Sequence, residues 1–150
     1  MREAAVAEGL SGESADRLVG EWDSLQPWDD AREFLAGLAG RRLGVVTNCS
    51  ETLGRRAAAR LAVRFDAVVT SERAGYYKPH SAPYRLALAE LALAPAQVVF
   101  VCGSGFDLFG TAAVGLDTLW HNRAGLAKPP AAPAPLAERR TLRELLPFVF

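Results

Sequence analysis

Three short polar groups in this 150-residue chain carry side chains able to handle an anion: Thr47-Asn48, Lys78, and the stretch Ser104 to Asp107. Threonine and asparagine donate hydrogen bonds to oxyanions, and a lysine neutralises charge. Glycine-flanked amides such as those of Gly103-Ser104-Gly105 let a ligand come close to the backbone. Asp107 adds a carboxylate. Taken singly, each has a plainer use. Thr47 or Ser50 caps the helix that follows, Lys78 is a solvated loop lysine, Asp107 is a helix N-cap, and the glycine pair is a tight turn. No stretch matches GxSxG, GxGxxG or the phosphate-binding loop ending in GK[ST]. His80 and His121 stand far apart with no third ligand partner, and Cys49 and Cys102 form neither a CxxC nor a metal cluster. Arg55, Arg56 and Arg60, like Arg139, Arg140 and Arg143, read as solvated helix faces.

Each polar group follows an apolar run. Leu43 to Val46 leads into Thr47-Asn48, Ala67-Val68-Val69-Thr70 precedes the loop with Gly75, Lys78 and Pro79, and Val98 to Val101 empties into Cys102-Gly103. Short apolar runs ending in polar residues predict buried strands delivering functional groups at their carboxyl ends. A fourth run, Thr118-Leu119-Trp120, is shorter and is expected near an edge. Helical spacing fills the intervals: Ala15, Leu18, Val19, Trp22 and Leu25, then, after Pro27, Ala31, Phe34, Leu35 and Leu38. Asp30 and Glu33 have capping-box spacing, Gly40 closes that helix, and Ser50 heads another through Leu61. Tyr84, Leu88 and Leu91 mark the next helix, and Asp107 to Val114 a short one stopped by Gly115. The stretch 124–137, with Pro129, Pro130, Pro133 and Pro135, reads as loop; Thr141 and Glu144 cap a short final helix. Strands alternating with helices imply an α/β fold: a parallel sheet with flanking helices and right-handed crossovers. Its functional loops lie at the carboxyl ends, where all three polar groups stand.

Length and composition bound the rest. The chain is long enough for one domain with a real core. Lys plus Arg and Asp plus Glu both total 17, so the formal net charge is zero, which argues against a nucleic-acid partner. No run approaches the 18 or so apolar residues of a membrane span, and Met1-Arg2-Glu3 opens onto a helical pattern instead of a signal peptide. The expected setting is cytoplasmic, with no membrane partner and free thiols.

The combination is more specific than its parts. Val45-Val46-Thr47-Asn48, then Tyr77-Lys78-Pro79 with Tyr84 six residues past the lysine, then Phe100 to Asp107, Ala112 to Leu116, and Trp120-His121-Asn122-Arg123 stand in an order and spacing that resemble the haloacid dehalogenase-like hydrolase superfamily. The resemblance covers about Trp28 to Arg123. The WxNR ending and the KP followed by tyrosine look most like the 2-haloacid dehalogenase branch. It implies a Rossmann-like core, an aspartate nucleophile that forms an ester intermediate, and a small anionic substrate. Thr47 with Asn48 would orient substrate or the developing anion, Lys78 would offset charge on nucleophile and intermediate, and Asp107 would be the fourth-motif acid. Tyr84 and Ser104 would line the substrate site.

Two departures follow. Phosphatases of the superfamily usually carry an acid where Ser104 stands and use it with the later acid to organise magnesium. The serine tilts the expectation toward a metal-independent dehalogenase-type site with no cofactor, magnesium entering only under a phosphatase reading. The second departure is at the front. Glu3, Glu8, Glu13, Asp16, Glu21 and Asp23 have no preceding apolar run, so none matches the nucleophile-bearing first strand. In the family that strand lies between the strands placed here at 43–47 and 98–102. The chain therefore reads as residues 1–25 from a helical cap and residues 26–150 from the core, lacking the first strand. The resemblance thus implies the carboxy-terminal part of a 2-haloacid dehalogenase-type enzyme, expected to be inactive by itself. The alternatives are a phosphatase of the same superfamily and a non-catalytic remnant that binds an anion or a partner. An open central strand position invites a direct pairing of its neighbours, insertion of the Phe148-Val149-Phe150 tail, or homo-oligomer formation.

Overall fold

The computed structural model describes residue 9 and residues 11–149, so Glu3, Glu8 and Phe150 lie outside the described residues. Among the described residues five short parallel strands form two separate sheets. β1 (Gly44–Thr47) pairs with β2 (Ala67–Thr70), Thr47 opposite Thr70. β3 (Val99–Cys102), β4 (Asp117–His121) and β5 (Ala137–Arg139) follow in that order in the second sheet, with Cys102 opposite Trp120. Parallel pairing requires crossovers, and helices supply most of them. α1 (Gly12–Gly20) and α2 (Ala31–Gly37) precede β1, and α3 (Glu51–Ala59) joins β1 to β2. α4 (Ser71–Ala74) and α5 (Ser81–Leu91) lead to β3, and α6 (Asp107–Ala112) leads to β4.

β4 is central in its sheet, not near an edge as its short apolar run suggested. Leu119 and Trp120 are adjacent, so they face opposite sides of the sheet, and both are at most 1% exposed. Leu119 packs with Phe34, Leu142 and Leu145 on one side, while Trp120 packs with Cys102 and Leu108 on the other. The covering strand is β5, which begins at the last residue of the proline-rich stretch. Only Ala137 of its three residues is buried, too little for a periodic signal.

The caps follow the sequence at some helices and depart at others. Ser50 accepts from the Leu53 amide at 3.3 Å and caps α3, which ends at Ala59 because the chain tightens into 3₁₀-type turns at Leu61 and turns left-handed at Ala62. Asp30 does not cap α2. Its Oδ2 accepts from the Leu142 amide at 2.7 Å, tying that helix start to the end of the chain. The Thr141–Glu144 box forms, Glu144 receiving the Thr141 amide and Thr141 the Glu144 amide, both at 3.3 Å. It heads a 3₁₀ helix, Arg143–Phe148, because Pro147 has no N–H to continue an α-helix. The amino-terminal periodicity splits likewise into α1 and a 3₁₀ turn, Trp22–Ser24. This segment leans on α3: the Trp22 indole donates to the Leu53 carbonyl at 2.9 Å, and Arg56 forks onto Asp23 at 3.0 and 2.5 Å. Among the described residues no helix is long and apolar enough to cross a membrane.

Candidate active site

Lys78 lies in the loop between α4 and α5, which Gly75 turns in the left-handed region at φ 73°. The Lys78-Pro79 bond is cis, and His80 then caps α5 by accepting the Ala82 amide at its Nδ1, 3.2 Å away, with Tyr76 stacked on its ring at 4.0 Å. From this loop the Lys78 ammonium donates to Asp107 Oδ2 at 3.0 Å. Tyr84, one turn into α5, donates its hydroxyl to Asp107 Oδ1 at 2.7 Å. Asp107 opens α6 and is 4% exposed, yet the helix receives no side-chain cap from the residue before it, and the carboxylate is spent on the lysine and the tyrosine. A buried carboxylate needs such a paired and hydrogen-bonded setting. Phe100 of β3 completes the cluster: its ring meets Tyr84 edge-on at 5.3 Å, and the Lys78 nitrogen stands 5.6 Å from its centre.

Gly110 makes this approach feasible. A Cβ there would fall inside the contact distance of the Pro79 carbonyl and of the Tyr84 ring, with the Pro79 carbonyl carbon 2.9 Å away. Phe100 and Gly110 escaped the sequence reading. Phe100 looked like any residue of an apolar strand, whereas a glycine inside the predicted helix after Asp107 was a legible sign of close packing.

Burial, and then the bond and charge of Asp107, hold the Tyr84 phenol well above its usual range, so it donates to the carboxylate at any ordinary pH. Burial likewise pushes the Cys102 thiol up to about 12, with Asp107 adding to the effect. Cys102 is 2% exposed and packs against Leu108 and Trp120, a setting that favours the neutral thiol. Both cysteines are free.

The remaining expected residues occupy the same end of the strands. Asn48 joins the lysine loop directly, its Oδ1 accepting the Lys78 amide at 2.7 Å and its Nδ2 donating to the Lys78 carbonyl at 3.2 Å. Thr47 ends β1, and its hydroxyl bonds to Cys49 Sγ at 3.2 Å. Ser104 is exposed and accepts the Phe106 amide at 3.3 Å, a local turn apart from the Lys78–Asp107–Tyr84 cluster. Among the described residues no three His, Cys, Asp or Glu side chains gather in a way that could hold a metal ion.

Between the two sheets runs a cleft of about 520 Å³. Val45 and Val46 of β1 line one side, Phe100, Val101 and Cys102 of β3 the other, and Lys78 and Gly103 the end toward the cluster. Among the described residues β1 and β3 do not pair: each has a strand neighbour on one side only, and both line this cleft. Val149, just past the 3₁₀ helix, reaches the lining, and among the described residues the tail adds no strand.

A lysine, a buried carboxylate and a tyrosine are gathered at the carboxyl ends of parallel strands, the arrangement of an anion-handling site in an α/β fold. The family model for haloacid dehalogenase-like hydrolases matches residues 3–115, and the chain belongs to that family. It is 33% identical over 98 residues to an (S)-2-haloacid dehalogenase of Xanthobacter autotrophicus, covering 64% of this chain and 39% of that protein. It is 30% identical over 118 residues to a haloacetate dehalogenase of Moraxella sp. (strain B), covering 76% of this chain and 53% of that protein. The crystal structure of an L-2-haloacid dehalogenase superposes with a TM-score of 0.85 at 28% identity, over 99% of this chain and 68% of that one. The chain thus spans about two fifths to a half of these two curated relatives.

Proposed function

We propose that this chain forms the charge-handling part of a 2-haloacid dehalogenase-type site, completed by a carboxylate on a strand seated between β1 and β3. The observation that carries this reading is the Lys78 ammonium, held 3.0 Å from Asp107 at the end of that cleft. The facing edges of β1 and β3 present unpaired N–H and C=O groups to the cleft, and a parallel strand between them would pair both. β1 offers four register positions, about 13 Å of strand. A carboxylate at the carboxyl end of such a strand would arrive beside Lys78. Its oxygen attacks the carbon bearing the halogen, the carbon–halogen bond breaks, and halide leaves with the bonding electrons. Water then attacks the ester carbonyl, releasing a 2-hydroxy acid and a proton and regenerating the carboxylate. Lys78 opposes the negative charge of the nucleophile and of the oxyanion in the second step. Asp107 and Tyr84 fix the ammonium, Thr47 and Asn48 orient the small anionic substrate, and Ser104 lies on the rim. Residues 1–25 act as part of a helical cap and 26–150 as the core.

The 150-residue chain by itself turns over no 2-haloacid in this account. The test fuses an apolar strand ending in aspartate ahead of the chain and measures halide release from 2-haloacids. Halide release that vanishes in a strand ending in asparagine supports the proposal. Magnesium-dependent phosphate release without halide would instead favour the phosphatase reading. Anion binding without either reaction would favour a non-catalytic remnant.

A further inference from the structure

We infer that Asn48 is a positioning residue for Lys78, its side-chain amide fixing the stretch of backbone from which the ammonium reaches Asp107. The inference takes Lys78 as the charge-bearing group of the proposed site, although its test does not depend on turnover. One planar amide engages both polar groups of one residue 30 positions away, accepting from the Lys78 N–H at 2.7 Å and donating to its C=O at 3.2 Å. The arrangement reproduces one step of a β-ladder with a side chain in place of a strand. It ties the lysine loop to the end of β1.

The loop has need of such a tie. Tyr76 and Tyr77, just before Lys78, are 54% and 70% exposed and bring little apolar anchoring. On the far side Pro79 bears on Gly110 of α6, the helix that carries Asp107. The Lys78 backbone is thus held between β1 and α6. A lysine side chain is long and flexible, so its ammonium stays on one carboxylate oxygen only if its base is fixed and its rotamer entropy is already spent. Asn48 keeps a second N–H for a ligand, so orienting an anion and placing Lys78 are compatible tasks for one side chain.

The chain contains two lysines, Lys78 and Lys128, which allows an internal comparison. Trace acetylation with acetic anhydride, read by mass spectrometry, gives the ratio of Lys78 to Lys128 labelling in the 150-residue protein. Asn48→Ala should raise that ratio about three- to tenfold, the worth of one or two hydrogen bonds expressed as a population of released loop. Asn48→Asp keeps the acceptor for the Lys78 amide and loses the donor, so its ratio should rise less. In the unmodified protein the Lys78 amide should exchange with solvent deuterium at least tenfold slower than an open chain, and Asn48→Ala should abolish that protection. An unchanged labelling ratio in folded Asn48→Ala would overturn the inference, even if the variant unfolds at a lower temperature. If Asn48→Ala does not fold, open-chain exchange of the Lys78 amide in the unmodified protein overturns it equally. Failure of the dehalogenase reading would leave labelling and exchange untouched, so the two failures are distinguishable.

Discussion

Gly110→Ala is the smallest change that separates packing from chemistry at this site. The added methyl would meet the Pro79 carbonyl and the Tyr84 ring well inside van der Waals contact, and the obstructing atoms on the loop side are backbone. Retreat is hindered, because the adjoining Lys78 is held at both its N–H and its C=O by Asn48. Overpacking against backbone belongs at the upper end of the usual range, about 3 kcal/mol, while alanine in place of glycine inside a helix returns about 1 kcal/mol. The net loss is about 2 kcal/mol, which for a chain of 150 residues lowers Tm by about 6 °C. Tyr84 also has to swing off Asp107, so its phenol should titrate closer to the ordinary tyrosine value near pH 10. Urea unfolding gives the stability change, and ultraviolet difference spectra follow the tyrosines. Gly20→Ala is the control: nothing lies within 4 Å of its would-be Cβ at the end of α1, and stability should hold or rise. A Gly110→Ala protein as stable as the parent, with Tyr84 still titrating far above pH 10, would refute this account of how the cluster is assembled.

Two further outcomes follow from the same geometry. Lys78→Met leaves the Asp107 carboxylate buried with only the tyrosine as partner, and should cost about 3 kcal/mol in urea unfolding at pH 7. Asp107→Asn in the same protein removes the stranded charge and should recover more than half of that loss; no recovery would contradict the pairing. At alkaline pH the native thiol of Cys102 and phenol of Tyr84 keep protons that the unfolded chain gives up, because burial raises both. Their contribution is complete below the unfolded values. Stability should therefore fall by about 1.4 kcal/mol per pH unit between roughly pH 9, the unfolded thiol value, and pH 12, and more steeply once tyrosine joins above 10. Cys102→Ala should flatten the first part of that fall, and an unchanged pH profile would deny the thiol its buried state.

Much of this arrangement was legible from residue types. The runs at 43–47, 67–70 and 98–102 form strands, with the polar residues after them at their carboxyl ends as parallel topology requires, although of the three only β2 is mostly buried, β1 and β3 each lining the cleft. Lys78 and Tyr84 converge on the Asp107 carboxylate, the three spread along thirty residues of sequence. Where the reading fell short, long-range partners outweighed local signals. Asp30 has the spacing of a cap, yet an amide of Leu142 claims its oxygen. Thr118 to Trp120 looked peripheral because its partner β5 is three residues long and mostly exposed. Asn48 suggested an anion ligand, and nothing in its local sequence showed that a peptide 30 residues away would occupy its amide. The fate of the gap beside β1 also lay beyond periodicity, since it depends on which strand edges meet: β1 and β3 stay apart, and Val149 reaches the cleft only from a 3₁₀ turn.

The claim that a strand in this cleft delivers a carboxylate to Lys78 is tested most directly by a single turnover of the strand-completed protein in ¹⁸O-labelled water. With enzyme in excess over a 2-haloacid, the ester route takes the product's hydroxyl oxygen from the aspartate, so the first 2-hydroxy acid released should be unlabelled and the label should appear in the protein. Labelled product from the first turnover, with no label in the aspartate, would mean that water attacks the substrate directly and would contradict the account.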